Sequence, residues 1–286
     1  MLEFAVADPD RGQGQLQRFR ASLELLRIGL AEDHLPHAGI LTAICDLLPG
    51  ESPKTRTEVQ AMVDEVAPLE FVYLADGYFT ERGLRGQVEI RLVTPLPGAF
   101  TKPKASAFFS RLIEEKNIKI TASYDLVEVD CANKRIISAG DQVIDFDLLV
   151  SITPNVGARY LVSSGVAMDE VGYVKTNKHT LQAENHKNMW ILGDTTTLPT
   201  SKAGSVAHFS AEVMVENFLR VLHGEAVRPD FDGHANCFIE TGFDKAALID
   251  FNYDYEPLPG KFPLPGLGPF SLLGESKANH WGKMMF

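Results

Sequence analysis

The sequence predicts an α/β fold, and three patterns support that prediction. From residue 68 onward, short apolar segments typical of strands alternate with longer segments that have helical periodicity. Pro and Gly separate these segments, as they do at the ends of helices and strands. A run of short strands then interrupts the alternation, which is the order expected of a nucleotide-binding α/β domain with a β-excursion.

Residues 1–66 are predicted to form a separate helical segment. Its first apolar positions recur at steps of four and three, at Phe19, Leu23, Leu26 and Leu30. The segment "HAGILTAICDLL" continues this helical pattern after Pro36, and Thr55 with Glu58 has the spacing of a capping box for a third helix. No residue of this segment indicates a chemical function.

Residues 67–225 are predicted to form the α/β domain. The segment "PLEFVYLADGYFTERG" reads as a helix that ends at Gly83, and "VEIRLVTP" follows as a strand. A second helix, "KASAFFSRLIEEKN", and a strand, "IKITAS", come next. The segments "LVEVD", "RIISAG" and "QVIDF" predict an antiparallel meander with turns at Asn133 and Gly140, and "DLLVSITP" predicts a buried strand.

The stretch from Met189 to Glu225 carries the clearest candidate site. "MWILGD" reads as the last, buried strand of a doubly wound unit, and ligands of such sheets bind beyond the carboxyl ends of the strands, where Gly193 and Asp194 fall. The following helix, predicted to begin near Ser205, presents N–H groups and a partial positive charge at its first turn. Its predicted apolar stripe comprises Ala207, Ala211, Met214, Phe218 and Leu222, and Gly224 ends it.

These features suit one type of ligand. Gly193 lets the backbone approach a ligand closely, and Asp194 offers a carboxylate to a hydroxyl group. A polyhydroxy chain that bears an electron-accepting ring, such as a flavin, would use both the carboxylate and the helix start. The alternative is that Gly-Asp forms only a turn and a helix cap.

Residues 226–286 are predicted to be a loop-rich C-terminal region for redox chemistry or interfaces. The segment "EPLPGKFPLPGLGPF" is predicted to be neither regular helix nor sheet because of its Pro and Gly content. The last residues, Trp281, Met284, Met285 and Phe286, form an apolar end. This end could contact a membrane surface or a partner, or it could be buried.

Composition excludes several classes of function. A net charge of -11 disfavours nucleic acid and anionic membranes as broad partners. The cysteines, Cys45, Cys131 and Cys237, are too few and scattered for a disulfide framework, and no pair has metal-ligand spacing. We therefore expect a cytoplasmic protein without a metal site, with peripheral contact to the cytoplasmic membrane as an option.

The stretch "ILGDTTTLPTSKAGSVAHFSAEVMVENFLRVLHGE" resembles the second flavin-contacting motif of the FAD-dependent pyridine nucleotide-disulfide oxidoreductases, and most closely that of the sulfide:quinone oxidoreductase branch. "LVTPLPGAFTKPKAS" and the tail from residue 232 to the end resemble the same branch. The resemblance implies a Rossmann-like FAD/NAD(P)-binding fold. It further implies that FAD takes two electrons from sulfide or another sulfur donor through reactive cysteines and passes them to a quinone.

The same resemblance assigns roles to individual residues. Asp194 would hydrogen-bond the ribityl chain of the flavin. Lys202 and the helix start at Gly204 and Ser205 would lie beside the isoalloxazine ring and the quinone pocket. Cys237, in "NCFIETG", matches a family cysteine and would be the catalytic nucleophile. The alternative interpretations are that Lys202 is a solvated loop residue and that Cys237 is an inert core residue.

The sequence departs from the family at two positions. A strand with G-x-G-x-x-G is expected to hold the FAD pyrophosphate, whereas "GQGQLQ" (12–17) has Gln17 in place of the third glycine. A partner cysteine is expected just ahead of the first helix, where this chain has Asp64. A second hypothesis therefore stays open, that the chain is a non-catalytic or partner-dependent relative lacking the first FAD-binding half. Homo-oligomers or a partner chain would then complete it.

Overall fold

The computed structural model describes residues 38–42, 66–151, 157–167, 171–264 and 266–285. The chain divides into two compact units, Met1–Ala38 and Gly39–Phe286. Apart from Ala38, every described residue belongs to the second unit. None of the described helices is long and apolar enough to cross a membrane.

The described secondary structure alternates between helices and strands. The helices are α1 (Val66–Glu81), α2 (Pro103–Glu115), α3 (Arg159–Ser163), α4 (Gly204–Leu222) and α5 (Lys277–Met285). The strands are β1 (Ala38–Thr42), β2 (Val88–Val93), β3 (Lys119–Thr121), β4 (Leu126–Asp130), β5 (Arg135–Ser138), β6 (Val143–Asp145), β7 (Leu148–Val150), β8 (Gln182–Ala183), β9 (His186–Trp190), β10 (Ala235–Gly242), β11 (Lys245–Phe251), β12 (Gly260–Phe262), β13 (Phe270–Leu272) and β14 (Glu275–Ser276).

A four-stranded sheet with the order β3-β2-β1-β7 forms the centre of the α/β part. Strands β2 and β3 pair in parallel, and so do β1 and β7. The helix α2 connects the parallel strands β2 and β3, as expected of a β-α-β unit. The α/β class predicted from the sequence is confirmed.

The helix predicted for "HAGILTAICDLL" is wrong at β1. Ile40 and Thr42 of this strand are opposite Leu148 and Val150 of β7, and β1 also neighbours β2. A short apolar run has no periodicity that separates a central strand from a buried helix, so pairing on both sides decides the conformation. The rest of the predicted helical segment, including the capping box at Thr55 and Glu58, lies outside the described residues.

The β-excursion is confirmed as an antiparallel sheet in the order β4-β5-β6. Ile136 and Ile144 of this sheet form a small core with Tyr124, Phe146 and the β7 residue Leu149. The Tyr124 hydroxyl donates to the carbonyl oxygen of Gln142 at 2.9 Å. Burial of this ring raises the pKa of the phenol above its ordinary value.

The prediction that the C-terminal region is loop-rich is wrong from residue 235 onward. Strands β10 to β13 form a sheet in the order β10-β11-β13-β12, and β14 pairs with β11. Even the proline-rich "EPLPGKFPLPGLGPF" contributes β12 and the start of β13, with Phe262 opposite Phe270. The structure tolerates Pro263 because it follows an edge strand, where its missing N–H removes no ladder hydrogen bond.

The helices α1 and α5 fix this C-terminal sheet to the rest of the unit. Gly77 of α1 lies so close to the backbone of Gly242 that a Cβ at residue 77 would be 3.4 Å from its Cα. On α5, Lys283 forms an ion pair with Glu70 of α1 at 2.5 Å. The side chain of Asn279 is fully buried and accepts a hydrogen bond from the backbone N–H of Ser271 at 2.8 Å.

Candidate functional site

The Gly-Asp turn follows a strand, as the sequence predicts, but that strand differs from the predicted one. The regular strand β9 ends at Trp190, and Gly193–Thr195 is a 3-10 turn in which Gly193 has φ +71°. This positive φ favours glycine. Contrary to the prediction of a buried strand in a doubly wound sheet, β9 pairs antiparallel with β8, and its residues are mostly exposed.

The turn is held by the segment around residue 173. The backbone N–H of Val174 donates to the carbonyl oxygen of Thr195 at 2.8 Å, and the Thr195 hydroxyl donates to that of Gly172 at 2.9 Å. Asp194, between these anchored residues, is exposed. The carboxylate is therefore presented to solvent on a fixed turn.

Lys202 lies beside this turn. Its Nζ donates to the carbonyl oxygen of Thr196 and lies 5.3 Å from the ring centroid of Tyr173. Burial lowers the pKa of the Lys202 ammonium, and the nearby Asp194 carboxylate partly offsets this effect. The structure therefore brings Lys202 near Asp194.

The start of α4 is open on one side. Its N-cap residue, Ala203, has no side-chain acceptor, so no side chain at that position caps the first N–H groups. A Cβ added to Gly193 or to Gly204 would meet no heavy atom within 4 Å. The turn and the helix start thus both face open space, while the helix N-terminus supplies partial positive charge.

Ser205 has a structural use that the sequence did not indicate. Its hydroxyl donates to the carbonyl oxygen of Asn236 at 2.6 Å and accepts from the backbone N–H of Asn236 at 3.3 Å. These bonds fasten the first turn of α4 to β10. The hydroxyl is thus engaged within the fold, and the part of Ser205 suited to a ligand is its backbone N–H.

Cys237 follows Asn236 on β10 and is half-buried. Because side chains alternate along a strand, Cys237 shares a face with Ala235 and Ile239. The opposite face carries Phe238 and Glu240, which contact α5. The tie between Ser205 and Asn236 therefore joins the start of α4 to the strand position next to Cys237.

The beginning of α1 is level with Cys237. Gly77 is adjacent to Gly242, and Glu70 pairs with Lys283, the neighbour of the Gly282 that packs on Phe238. These two anchors show that α1 and β10 run in the same direction. A helix rises about 1.5 Å per residue and a strand about 3.3 Å, so Val66 falls near the level of Cys237. Asp64, the position where the partner cysteine is expected, lies outside the described residues.

Two histidine–carboxylate pairs were missed from the sequence. His234 Nε2 is 3.0 Å from Asp250 Oδ2, and its ring stacks on Phe209 with centroids 4.3 Å apart. His280 Nδ1 is 3.0 Å from Glu240 Oε1. Their partners are 16 and 40 residues distant in the chain, so no local sequence pattern could have revealed them. Among the described residues, no group of three or more acidic, His or Cys side chains could hold a metal ion.

Comparisons with known proteins agree on one group of relatives. The chain is 26% identical over 193 residues to the mitochondrial sulfide:quinone oxidoreductase of Dictyostelium discoideum, and 26% identical over 198 residues to that of Mus musculus. These matches include 66% and 67% of this chain. The solved structure of the sulfide:quinone oxidoreductase from Aquifex aeolicus matches 92% of the chain with a TM-score of 0.63 at 17% identity.

The chain belongs to the pyridine nucleotide-disulfide oxidoreductase superfamily. No protein-family model matches it. It spans less than half the length of the curated relatives, 43% of the Dictyostelium protein and 44% of the mouse protein. A chain in the Tetrahymena thermophila mitochondrial ATP synthase structure has a similar fold, with a TM-score of 0.56 at 21% identity over 77% of this chain and 52% of that one.

The superfamily as a group binds FAD, and the described residues fit the ring side of that cofactor. Open space lies next to Gly193 and Gly204, an exposed carboxylate stands on the turn, and a lysine lies beside it. These groups suit the hydroxyls and the electron-rich ring of a flavin. The candidate pyrophosphate loop, residues 12–17, lies outside the described residues.

Proposed function

We propose that the chain takes part in FAD-linked oxidoreduction of the sulfide:quinone type. The observation that carries this proposal is the tie between Ser205 and Asn236, which joins the start of α4 to the strand that bears Cys237. This tie supports the proposal because it joins Asn236, the neighbour of Cys237, to the helix that begins two residues after Lys202.

Each group has a separate role in the proposed reaction. Asp194 would accept a hydrogen bond from a ribityl hydroxyl of the cofactor. Lys202 and the α4 N-terminus would stabilise negative charge beside the ring, and Cys237 would supply the nucleophilic sulfur that contacts the sulfur donor. FAD, when bound, supplies two-electron transfer between the sulfur donor and a quinone.

A second candidate function is a non-catalytic or partner-dependent subunit. It is favoured by the fold shared with a chain of the Tetrahymena ATP synthase structure. In this role the α/β fold would be kept for contacts with other chains. In this case Asp194 would be only a turn residue, and replacing it would not change the cofactor content.

Flavin content separates the two candidates. The purified full chain, after incubation with FAD and desalting, is expected to absorb at about 375 and 450 nm. Asp194→Ala should retain less flavin, while Asp145→Ala, which removes an exposed carboxylate from the separate β-excursion, should retain as much as the parent. A parent that stays colourless after incubation would refute the oxidoreductase proposal, and equal flavin in all three proteins would refute the role of Asp194.

A further inference from the structure

A cleft opens between the end of α1, the end of α2 and the turn that joins β10 to β11. Its volume is about 430 Å³, which lies within the range of small-molecule sites. The lining combines polar, charged and aromatic side chains, including those of Thr80, Lys116, Asn117, Phe243 and Glu275. None of these residues is among those proposed for the oxidoreduction, so the cleft requires its own explanation.

The inner wall of the cleft carries two cations and one buried carboxylate. Asp76, 4% exposed, pairs with Arg85 at 2.6 Å and lies 3.8 Å from the Nζ of Lys116. The Arg85 guanidinium also donates to the carbonyl oxygens of Val88, Lys116 and Asn117, so its donors are engaged within the fold. The Lys116 ammonium differs, because within the described part of the chain it makes no hydrogen bond, although its side chain is only 13% exposed.

An unpaired negative charge lines the same cleft at Glu275. Burial raises the pKa of the Tyr73 phenol, and the nearby Glu275 carboxylate raises it further. The Nζ of Lys116 lies 6.0 Å from the centroid of the same ring. Nevertheless, no described residue forms a hydrogen bond or an ion pair with the Glu275 carboxylate. The cleft therefore holds a donor and an acceptor of opposite charge that do not satisfy each other. Glu115, also in the lining, is already paired with Arg111 at 3.4 Å.

Phe243 stands in the lining with a strained backbone. It and Asp244 are the two central residues of the hairpin turn, with φ of +57° and +54°. Such turns favour Asn and Gly, and a bulky aromatic residue adopts this left-handed conformation at an energetic cost. Its ring is 39% exposed and its centroid is 5.0 Å from the Nζ of Lys116. Strain of this kind clusters where a fold holds a ligand contact, so the ring supplies an apolar surface beside the two charges.

We propose that this cleft binds a free α-amino acid with an apolar side chain. The carboxylate of the ligand would accept a hydrogen bond from the Lys116 ammonium, and its own ammonium would donate to the Glu275 carboxylate. The apolar side chain would pack on the ring of Phe243. A ligand with both charges satisfies both groups, whereas an anion alone would leave Glu275 without a donor and a cation alone would leave Lys116 without an acceptor.

Isothermal titration calorimetry of the full chain, with L-phenylalanine and L-leucine as probes, tests the proposal. One molecule is expected to bind per chain. 3-Phenylpropanoate lacks the ammonium and 2-phenylethylamine lacks the carboxylate, so each should bind at least about tenfold more weakly than L-phenylalanine. Equal binding of either analogue would overturn the recognition of a zwitterion. Absence of binding by both amino acids at about 10 mM would overturn the site itself.

Two substitutions test the residues assigned to the ligand. Glu275→Gln keeps the shape of the side chain and removes its charge, so the affinity for L-phenylalanine should fall by at least about tenfold. Glu128→Gln, the same change at an exposed position of β4, is the control and should bind as the parent does. Phe243→Asn removes the ring but keeps a residue that tolerates the left-handed conformation, so it should bind more weakly with no loss of melting temperature.

The variants can also contradict the proposal. If Glu275→Gln binds L-phenylalanine with the affinity of the parent, the amino acid does not lie in this cleft. If Phe243→Asn binds as tightly as the parent, the ligand side chain does not pack on the ring, and the selection of apolar amino acids is overturned.

Discussion

The chemistry of Lys202 depends on its place in the fold. On the sequence it is a loop residue between a strand and a helix, and either a solvated lysine or a ligand contact fits that position. The structure half-buries it against Tyr173, and this burial lowers the pKa of its ammonium, while the nearby Asp194 carboxylate partly opposes the shift. A desolvated ammonium interacts more strongly with a nearby negative charge than a surface lysine does.

Cys237 is the residue whose reactivity best tests the proposed chemistry. It is half-buried on β10. Brief treatment of the native protein with iodoacetamide is expected to alkylate Cys237 near neutral pH, because a nucleophilic sulfur must be accessible and largely thiolate. Cys237→Ser should abolish any sulfide-dependent quinone reduction.

Mass spectrometry after brief and exhaustive alkylation supplies the measurement and its control. The exhaustive sample, unfolded in denaturant, gives the full extent of labelling at Cys237. If Cys237 remains unlabelled in the native sample but reacts fully after unfolding, the sulfur is an inert core group. That outcome would favour the non-catalytic subunit.

Among single residues, the sequence was informative where chemistry is local. Gly193, Asp194 and the start of α4 could be placed because a glycine at a turn and a helix N-terminus leave local signals. The pairs of His234 with Asp250 and of His280 with Glu240 could not be predicted. Each depends on a contact between residues far apart in the chain, which no local pattern encodes.

At the scale of elements, the C-terminal sheet shows how long-range pairing overrides composition. The many Pro and Gly residues between 256 and 270 predict loops, yet β12 and β13 pair across that stretch. The described prolines of this stretch lie outside the paired positions or next to the edge strand, where they remove no ladder hydrogen bond. Sequence composition therefore identifies turns correctly but misses short strands between them.

The packing of α5 on this sheet leads to a prediction at Gly282. Replacing a helical glycine by alanine usually stabilises a helix by about 0.5–1 kcal/mol. Here a Cβ would lie 2.6 Å from a ring carbon of Phe270 and 3.0 Å from one of Phe238. We therefore expect Gly282→Ala to lower the free energy of unfolding by about 1–3 kcal/mol, as measured by urea denaturation.

Gly86→Ala, in the 3-10 turn Arg85–Gln87, provides a control for the glycine-to-alanine change itself. A Cβ at residue 86 meets no heavy atom within 4 Å, and its backbone φ is not in the left-handed region. Its free energy of unfolding should equal or exceed that of the parent. If Gly282→Ala were as stable as Gly86→Ala, the close packing of α5 on Phe238 and Phe270 would be contradicted.

At the scale of the whole molecule, the C-terminal end presents an apolar surface. Trp281, Met284 and Met285 of α5 are 63%, 64% and 78% exposed, while Asn279 and Gly282 on the same helix are buried. Deleting residues 270–286 would remove β13 and α5 together, and with them part of the sheet. Point substitutions on the exposed side are therefore the better test of this surface.

We expect Trp281→Ser combined with Met285→Ser to reduce co-sedimentation with zwitterionic lipid vesicles while leaving the melting temperature unchanged. The physical reason is that both side chains are exposed and apolar, so their loss removes surface that can enter the interface without disturbing the core. Zwitterionic vesicles avoid repulsion by the net charge of -11. Tyr160→Ser, at a 70% exposed position on α3, is the control, and co-sedimentation that is equal in all variants would show that α5 does not contact lipid.

The sequence by itself determined the α/β class, the extents of α1, α2 and α4, the antiparallel β-excursion and the superfamily. Periodicity, capping and turn residues are local, and they act over the few residues that each element contains. Only the tertiary structure decided that residues 38–42 form a central strand, that the C-terminal region is a sheet, and that the apolar side of α4 faces outward. Asn217 bonds to Arg228, and Ser205 bonds to Asn236. Because buried polar groups need hydrogen-bond partners, these contacts fix the rotation of α4 and leave its apolar side exposed.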